Sequence, residues 1–83
     1  MNDLARTPKQ IGNHVRRTRK KRGWSQSELA SVSGLRQETI SLIENGNPAT
    51  RLETIQAVLA ALDLEFQISP RSKGRPSDIE GLF

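Results

Sequence analysis

Apolar residues recur at helical spacing in four separate stretches of the chain. A first helix over about Pro8 to Arg22 sets Ile11, Val15 and Thr18 on one inner face. A second, short one over about Gln26 to Ser33 offers Leu29, Ala30 and Val32 for burial. A third runs from about Gln37 to Asn45, with Ile40 and Ile43 inward and Leu35 plugging the turn before it. The fourth, about Arg51 to Leu62, repeats Leu52, Ile55, Val58, Leu59 and Leu62 along one face and forms the floor of the core. Punctuation agrees with these periods. Thr7 with Gln10, Ser25 with Glu28 and Thr50 with Glu53 each read as a capping box, and Pro8 suits a first helical position. Gly23, Gly34 and Asn45-Gly46 supply the stops.

After Leu62 the period changes. Leu64, Phe66 and Ile68 alternate with Glu65, Gln67 and Ser69, the pattern of a β-strand over residues 64–69. No second strand is encoded, and a lone strand leaves its N–H and C=O groups without ladder partners. Pairing with its copy across a two-fold homodimer satisfies them; the alternative is an unpaired extended segment packed on the fourth helix. Residues 1–6 read as a flexible N-terminus. Residues 70–83, polar and Pro/Gly-bearing without periodicity, read as a flexible, disordered tail.

Length confines all this to one small domain of residues 7–69, since 83 residues bury only a marginal core. Zero cysteines exclude a disulfide scaffold or thiolate metal site, and His14, the single histidine, has no second ligand near it. The start MNDLARTPKQ lacks the apolar core of a signal peptide, and the longest apolar run, Ala57 to Leu62, is far below a membrane span. A cytoplasmic protein is expected, with no membrane partner. An enzyme is not: there is no Cys or Tyr, no phosphate-cradling glycine loop and no inward-facing acid pair. No cofactor is implied. Net charge is +4, unevenly placed, with eight Lys/Arg against one acid in residues 1–24 and two against six in residues 25–70. Such asymmetry suggests an anionic partner such as nucleic acid, or a solvated cationic helix face at Arg16, Arg17, Lys20, Lys21 and Arg22.

Two short helices around a glycine form a helix-turn-helix signature, in which the second helix lies in the major groove of DNA and the first crosses the backbone. The fold class is thus an all-α helix-turn-helix domain of about four helices, with one C-terminal strand and a tail. From Arg19 the letters R-x-x-x-G-W-S-Q-S-E-L-A, then G-L-R-Q-E-T-I-S-L-I-E-N-G from Gly34 and L-E-T-I from Leu52 resemble the XRE, or phage-repressor-like, helix-turn-helix family. G-W-S-Q-S-E-L-A, E-T-I-S and L-x-A-L-D-L-E bring it nearest to HipB-type antitoxins, which share a strand after the last helix and an aromatic C-terminus, here Phe83.

The resemblance implies a homodimer that binds a palindromic operator in double-stranded DNA, represses its own operon and neutralises a HipA-like kinase toxin. It places Gln37, Glu38 and Ser41 on the groove-facing side of the third helix, with Arg36 at its mouth. Side-chain chemistry agrees: Gln pairs with adenine, Arg with guanine, Glu accepts from cytosine N4, and Ser suits either base type. Glu38 also has a structural reading, as a first-turn acid that complements the helix dipole. Where the family usually has a hydroxyl N-cap, this chain has Arg36, so the third helix starts less well capped. The family contacts phosphate at the position of Gln26, and pairs the positions of Arg19 and Glu44 as a structural bridge. Asn45 and Asn47, just beyond the third helix, are further phosphate candidates.

Three features stand outside that scheme. Trp24, between Gly23 and the cap Ser25, reads as cover for the core rather than a stacking platform. K-G-R-P in the tail is a weak match to a minor-groove hook. In D-I-E-G-L-F, the side chains Ile79, Leu82 and Phe83 suit a toxin's pocket, or the tail is without a role. Two other functions fit the same letters: a free-standing repressor with no toxin, and a protein-interaction scaffold that does not bind DNA.

Overall fold

Thr7 opens α1 (Pro8–Lys21), its hydroxyl accepting from the Gln10 N–H at 3.1 Å in this computed structural model, which describes residues 4–71. The return bond misses by one residue, because Gln10 Oε1 accepts from the Arg6 N–H rather than that of Thr7. Ser25 builds the complete box before α2 (Gln26–Ser33): its hydroxyl accepts from the Glu28 N–H at 3.0 Å and Glu28 Oε1 accepts from the Ser25 N–H at 2.9 Å. Arg36 precedes α3 (Gln37–Glu44) without a side-chain cap. The box expected of Thr50 and Glu53 does not form. Asn47 Oδ1 accepts from the Ala49 N–H at 3.0 Å and the Thr50 hydroxyl donates to the Asn47 carbonyl at 3.3 Å. That turn occupies the hydroxyl, and α4 (Leu52–Ala61) starts behind Arg51 without a side-chain cap.

The four helices of the described residues end alike. The N–H groups of Trp24, Leu35, Asn47 and Leu64 reach back to the carbonyls of Arg19, Ala30, Leu42 and Leu59, and the residue before each donor is left-handed. At Gly34 φ is +74°, which breaks what would otherwise run from α2 into α3; at α4 the same bend falls on Asp63, φ +58°.

Val15, Leu29, Ala30, Ile40, Ile43, Val58, Leu59 and Leu62 form the core, with Trp24, Leu35, Ile55 and Leu64 packed against it. The inner face of α1 differs from the expected one. Ile11 and Thr18 are only half-buried, whereas Gly12 and Arg19 are buried. A Cβ on Gly12 would stand 2.2 Å from the Ile43 carbonyl oxygen, so α1 and α3 meet at backbone distance. Val32 and Leu52, expected inside, are 56% and 61% exposed, since α2 and α4 fill their shared interface with other residues. Beyond Asp63 no strand forms among the described residues, as a single protomer gives residues 64–69 nothing to pair with. Leu64 packs inward while Phe66 and Ile68 are exposed. Ile79, Leu82, Phe83 and the K-G-R-P run lie outside the described residues.

Candidate nucleic-acid interface

α3 has two unlike sides. Ile40, Ile43 and Glu44 are buried against α1 and α2, which anchors the helix along its length. Gln37, Glu38, Leu42 and Asn45 are exposed and Ser41 is half-buried. Spacings of one, three and four residues set these five on one continuous outer stripe. Arg36, also exposed, stands at the N-terminal end of that stripe. Its missing cap bond leaves the guanidinium uncommitted to the helix start.

Below the stripe lies a buried carboxylate that joins three helices. The Glu44 side chain is fully buried and takes Arg19 Nε on Oε2 at 2.6 Å and Arg19 Nη2 on Oε1 at 3.0 Å. Gln26 Nε2 from α2 donates to Oε1 at 3.1 Å, and Arg16 Nε approaches the same oxygen at 3.4 Å. Burial alone would push the Glu44 carboxyl up. The hydrogen bonds from Arg19, Gln26 and Arg16 and the Arg19 charge outweigh it and hold the group below the ordinary carboxylate range. Arg19 is held above its ordinary value by its hydrogen bond to Glu44, against the opposing effect of burial. Its Nη1 also donates to the Trp24 carbonyl at 2.8 Å, tying the pair to the turn before α2.

From this centre a polar chain runs outward. Arg16 Nη2 donates to the Glu44 carbonyl at 3.5 Å and to Asn45 Oδ1 at 3.3 Å, and Asn45 Nδ2 donates to Ser41 Oγ at 3.4 Å. Gln37, Glu38 and Ser41 thus share one face of α3, with Arg36 at its N-terminal end and Asn45 at its exit, and Gln26 connects to it through Glu44 and Arg16. Asn47 is engaged locally, its Oδ1 bonded to the Ala49 N–H. Trp24 packs on the core, and the Arg22 guanidinium lies 5.1 Å from its ring centre. His14 Nε2 lies 3.4 Å from the Leu4 carbonyl.

Three residues gain roles that the sequence pattern does not assign. Leu42, 51% exposed, belongs to the outer stripe, which its helical phase four residues after Glu38 indicates. Arg16 and Arg22, read as solvated, hold partners far along the chain. Arg22 Nη2 donates to Asp63 Oδ2 at 2.9 Å and to the Leu62 carbonyl at 3.4 Å, and no local signal announces contacts across 41 residues.

Comparison with known proteins agrees with this architecture. Residues 15–68 match the helix-turn-helix model HTH_3. Antitoxin HipB of Escherichia coli (strain K12) is 35% identical over 74 residues, covering 89% of this chain and 84% of HipB. Among solved structures, a point variant of HipB in complex with an O2 20mer superposes with a TM-score of 0.80 at 32% identity, covering 87% of this chain and all of that one. HipB in a HipA-HipB-O2-O3 complex gives a TM-score of 0.77 at 36% identity, over 86% of this chain and all of that one. The chain belongs to the XRE-like helix-turn-helix family HTH_3 and is a homologue of the HipB antitoxins.

Proposed function

We propose that this chain is a dimeric, sequence-specific DNA-binding antitoxin that represses its own operon and neutralises a HipA-like kinase toxin in the cytoplasm. The observation that carries the DNA reading is the outer stripe of α3: base-pairing side chains exposed along one face of a helix anchored by the opposite face. Arg36, Gln37, Glu38 and Ser41 read base edges in the major groove. Leu42 adds an apolar surface, suited to the thymine methyl group, the one apolar feature a base pair shows there. Gln26, Asn45 and Asn47 hold phosphates. The Gln26 amide carries two N–H donors, so one serves Glu44 and the other a phosphate oxygen.

Dimer formation is supported by the segment 64–69. Its alternating apolar side chains include Phe66 at 41% exposure and Ile68 fully exposed, and pairing with a second copy covers them while satisfying the backbone. The toxin reading is supported by the HipB homologues, one of them solved together with HipA. Ile79, Leu82 and Phe83 are proposed to dock that partner. No catalytic role is assigned, in keeping with the family.

Selection from a random duplex library should yield an inverted repeat with half-sites about one helical turn apart, or a small multiple of it. Gln37→Ala should cost about 1 to 3 kcal/mol at one base position of each half-site, whereas Gln26→Ala should weaken all sequences alike. Equal binding to every duplex by the unaltered chain would defeat the base-reading assignment. Co-expression with a neighbouring kinase-fold gene tests the antitoxin half: no complex with its product leaves only a free-standing repressor.

A further inference from the structure

α1 carries more charge than the helix-turn-helix uses. Asn13, Arg16, Arg17, Lys20 and Lys21 recur at three- and four-residue spacing and line one open hollow of about 700 Å³. α1 contains no acid at all, and Lys20 and Lys21 make no ion pair among the described residues. The like-charged pairs Arg16/Lys20 and Arg17/Lys21 stand one turn apart and repel. The dipole at the C-terminal end of α1 offsets part of that repulsion for the two lysines, and the Glu44 carboxylate, 3.4 Å from Arg16 Nε, offsets part of it for Arg16. A bound polyanion would remove the rest.

The position of the stripe selects the polyanion. Arg16 begins it, and Arg16 is bonded to the Glu44 carbonyl and Asn45 Oδ1, the exit of α3. The cationic face therefore continues from the end of the helix that enters the groove. From Arg16 to Lys21 it is about 7.5 Å long, at 1.5 Å per residue. That length spans about two phosphates of one strand, at 3.4 Å each along the duplex axis. We propose that the α1 stripe Arg16, Arg17, Lys20 and Lys21 is a second DNA-binding surface that holds the sugar–phosphate backbone flanking each half-site, independent of base sequence. The assignment rests on the DNA reading of α3. It gives the protein a footprint longer than its recognition sequence.

The test uses the full chain and the duplex it selects from a random library, once with long flanks and once trimmed to the selected bases. Lys20→Gln with Lys21→Gln leaves Arg16 and the Glu44 centre intact. On the long duplex the salt slope of log K should fall by about 0.9 for each lysine that holds a phosphate. Affinity should drop equally for any flank sequence, and the preference for the selected bases over scrambled ones should persist. Trimming the flanks should abolish the difference between variant and unaltered chain. An unchanged slope on the long duplex, with base preference retained, overturns the stripe alone. An unaltered chain that shows no base preference overturns the α3 reading instead. A variant that loses an acidic protein partner while its DNA slope stays fixed assigns the stripe to that partner and refutes the proposal.

Discussion

Replacing Glu44 with alanine should cost about 3 kcal/mol of folding stability, at the lower end of the 3 to 5 kcal/mol typical for breaking a buried ion pair. The lower end follows from the geometry. Arg19 is left 8% exposed with its charge uncompensated, yet its Nη1 keeps the Trp24 carbonyl at 2.8 Å. Gln26 and Arg16 lose an acceptor too, but Arg16 is 41% exposed at its side chain and can turn to water. A chain of 83 residues has about 4 to 12 kcal/mol in total at 0.05 to 0.15 kcal/mol per residue, so the loss is a large fraction. Thermal unfolding followed by circular dichroism at pH 7 and fixed protein concentration should show Tm falling by about 12 to 24 °C. The control is Arg19→Met with Glu44→Leu, which removes both charges and fills the space. Most of the loss should return, because the penalty lies in the orphaned guanidinium rather than in the missing attraction. A loss under about 1 kcal/mol for Glu44→Ala, or a double variant no better than the single one, would refute this account of the centre of the fold.

Gly12→Ala should destabilise by at least about 2 kcal/mol, since its Cβ would strike the Ile43 and Glu44 carbonyls, backbone atoms that cannot swing aside; urea titration reads the shift directly. Because Glu44 is held below its ordinary pKa, its contribution is fully present above about pH 4.3, the unfolded value, and fades as pH drops through the lower folded value. The Tm gap between the unaltered chain and Glu44→Gln should accordingly close on acidification, and a gap that widens would contradict the sign. Replacing thymine by uracil, one operator position at a time, should weaken the unaltered chain at one position per half-site and leave Leu42→Ala indifferent there. Equal losses for both proteins would remove Leu42 from the interface.

Local punctuation made the helix-turn-helix legible. Ser25 with Glu28 and Gly34 place both ends of α2 at the expected residues, because a capping box and a left-handed glycine act within four positions of where they are written. The same motif at Thr50 failed for an equally local reason: the Asn47 turn competes for the hydroxyl. Apolar count overfilled the interior, since the short α2 and α4 leave Val32 and Leu52 beyond their contact face. What periodicity could not carry was the polar centre. Arg16, Arg19 and Arg22 sit in one basic run, and only their depth and distant partners separate them. Family likeness supplied the Arg19 to Glu44 pair; nothing in the letters alone supplied Gln26 or Arg16 as its companions.

The uncapped start of α3 has an evolutionary corollary. Since no bond from the Arg36 side chain helps begin the helix, and its buried hold lies in Ile40, Ile43 and Glu44, the outward letters at 36, 37, 38 and 42 are free to drift without loosening their mounting. On the proposed reading, duplicated copies in one genome diverge to separate operators by a handful of replacements at 36, 37, 38 and 42. Their shared scaffold meanwhile stays under the ordinary selection for folding.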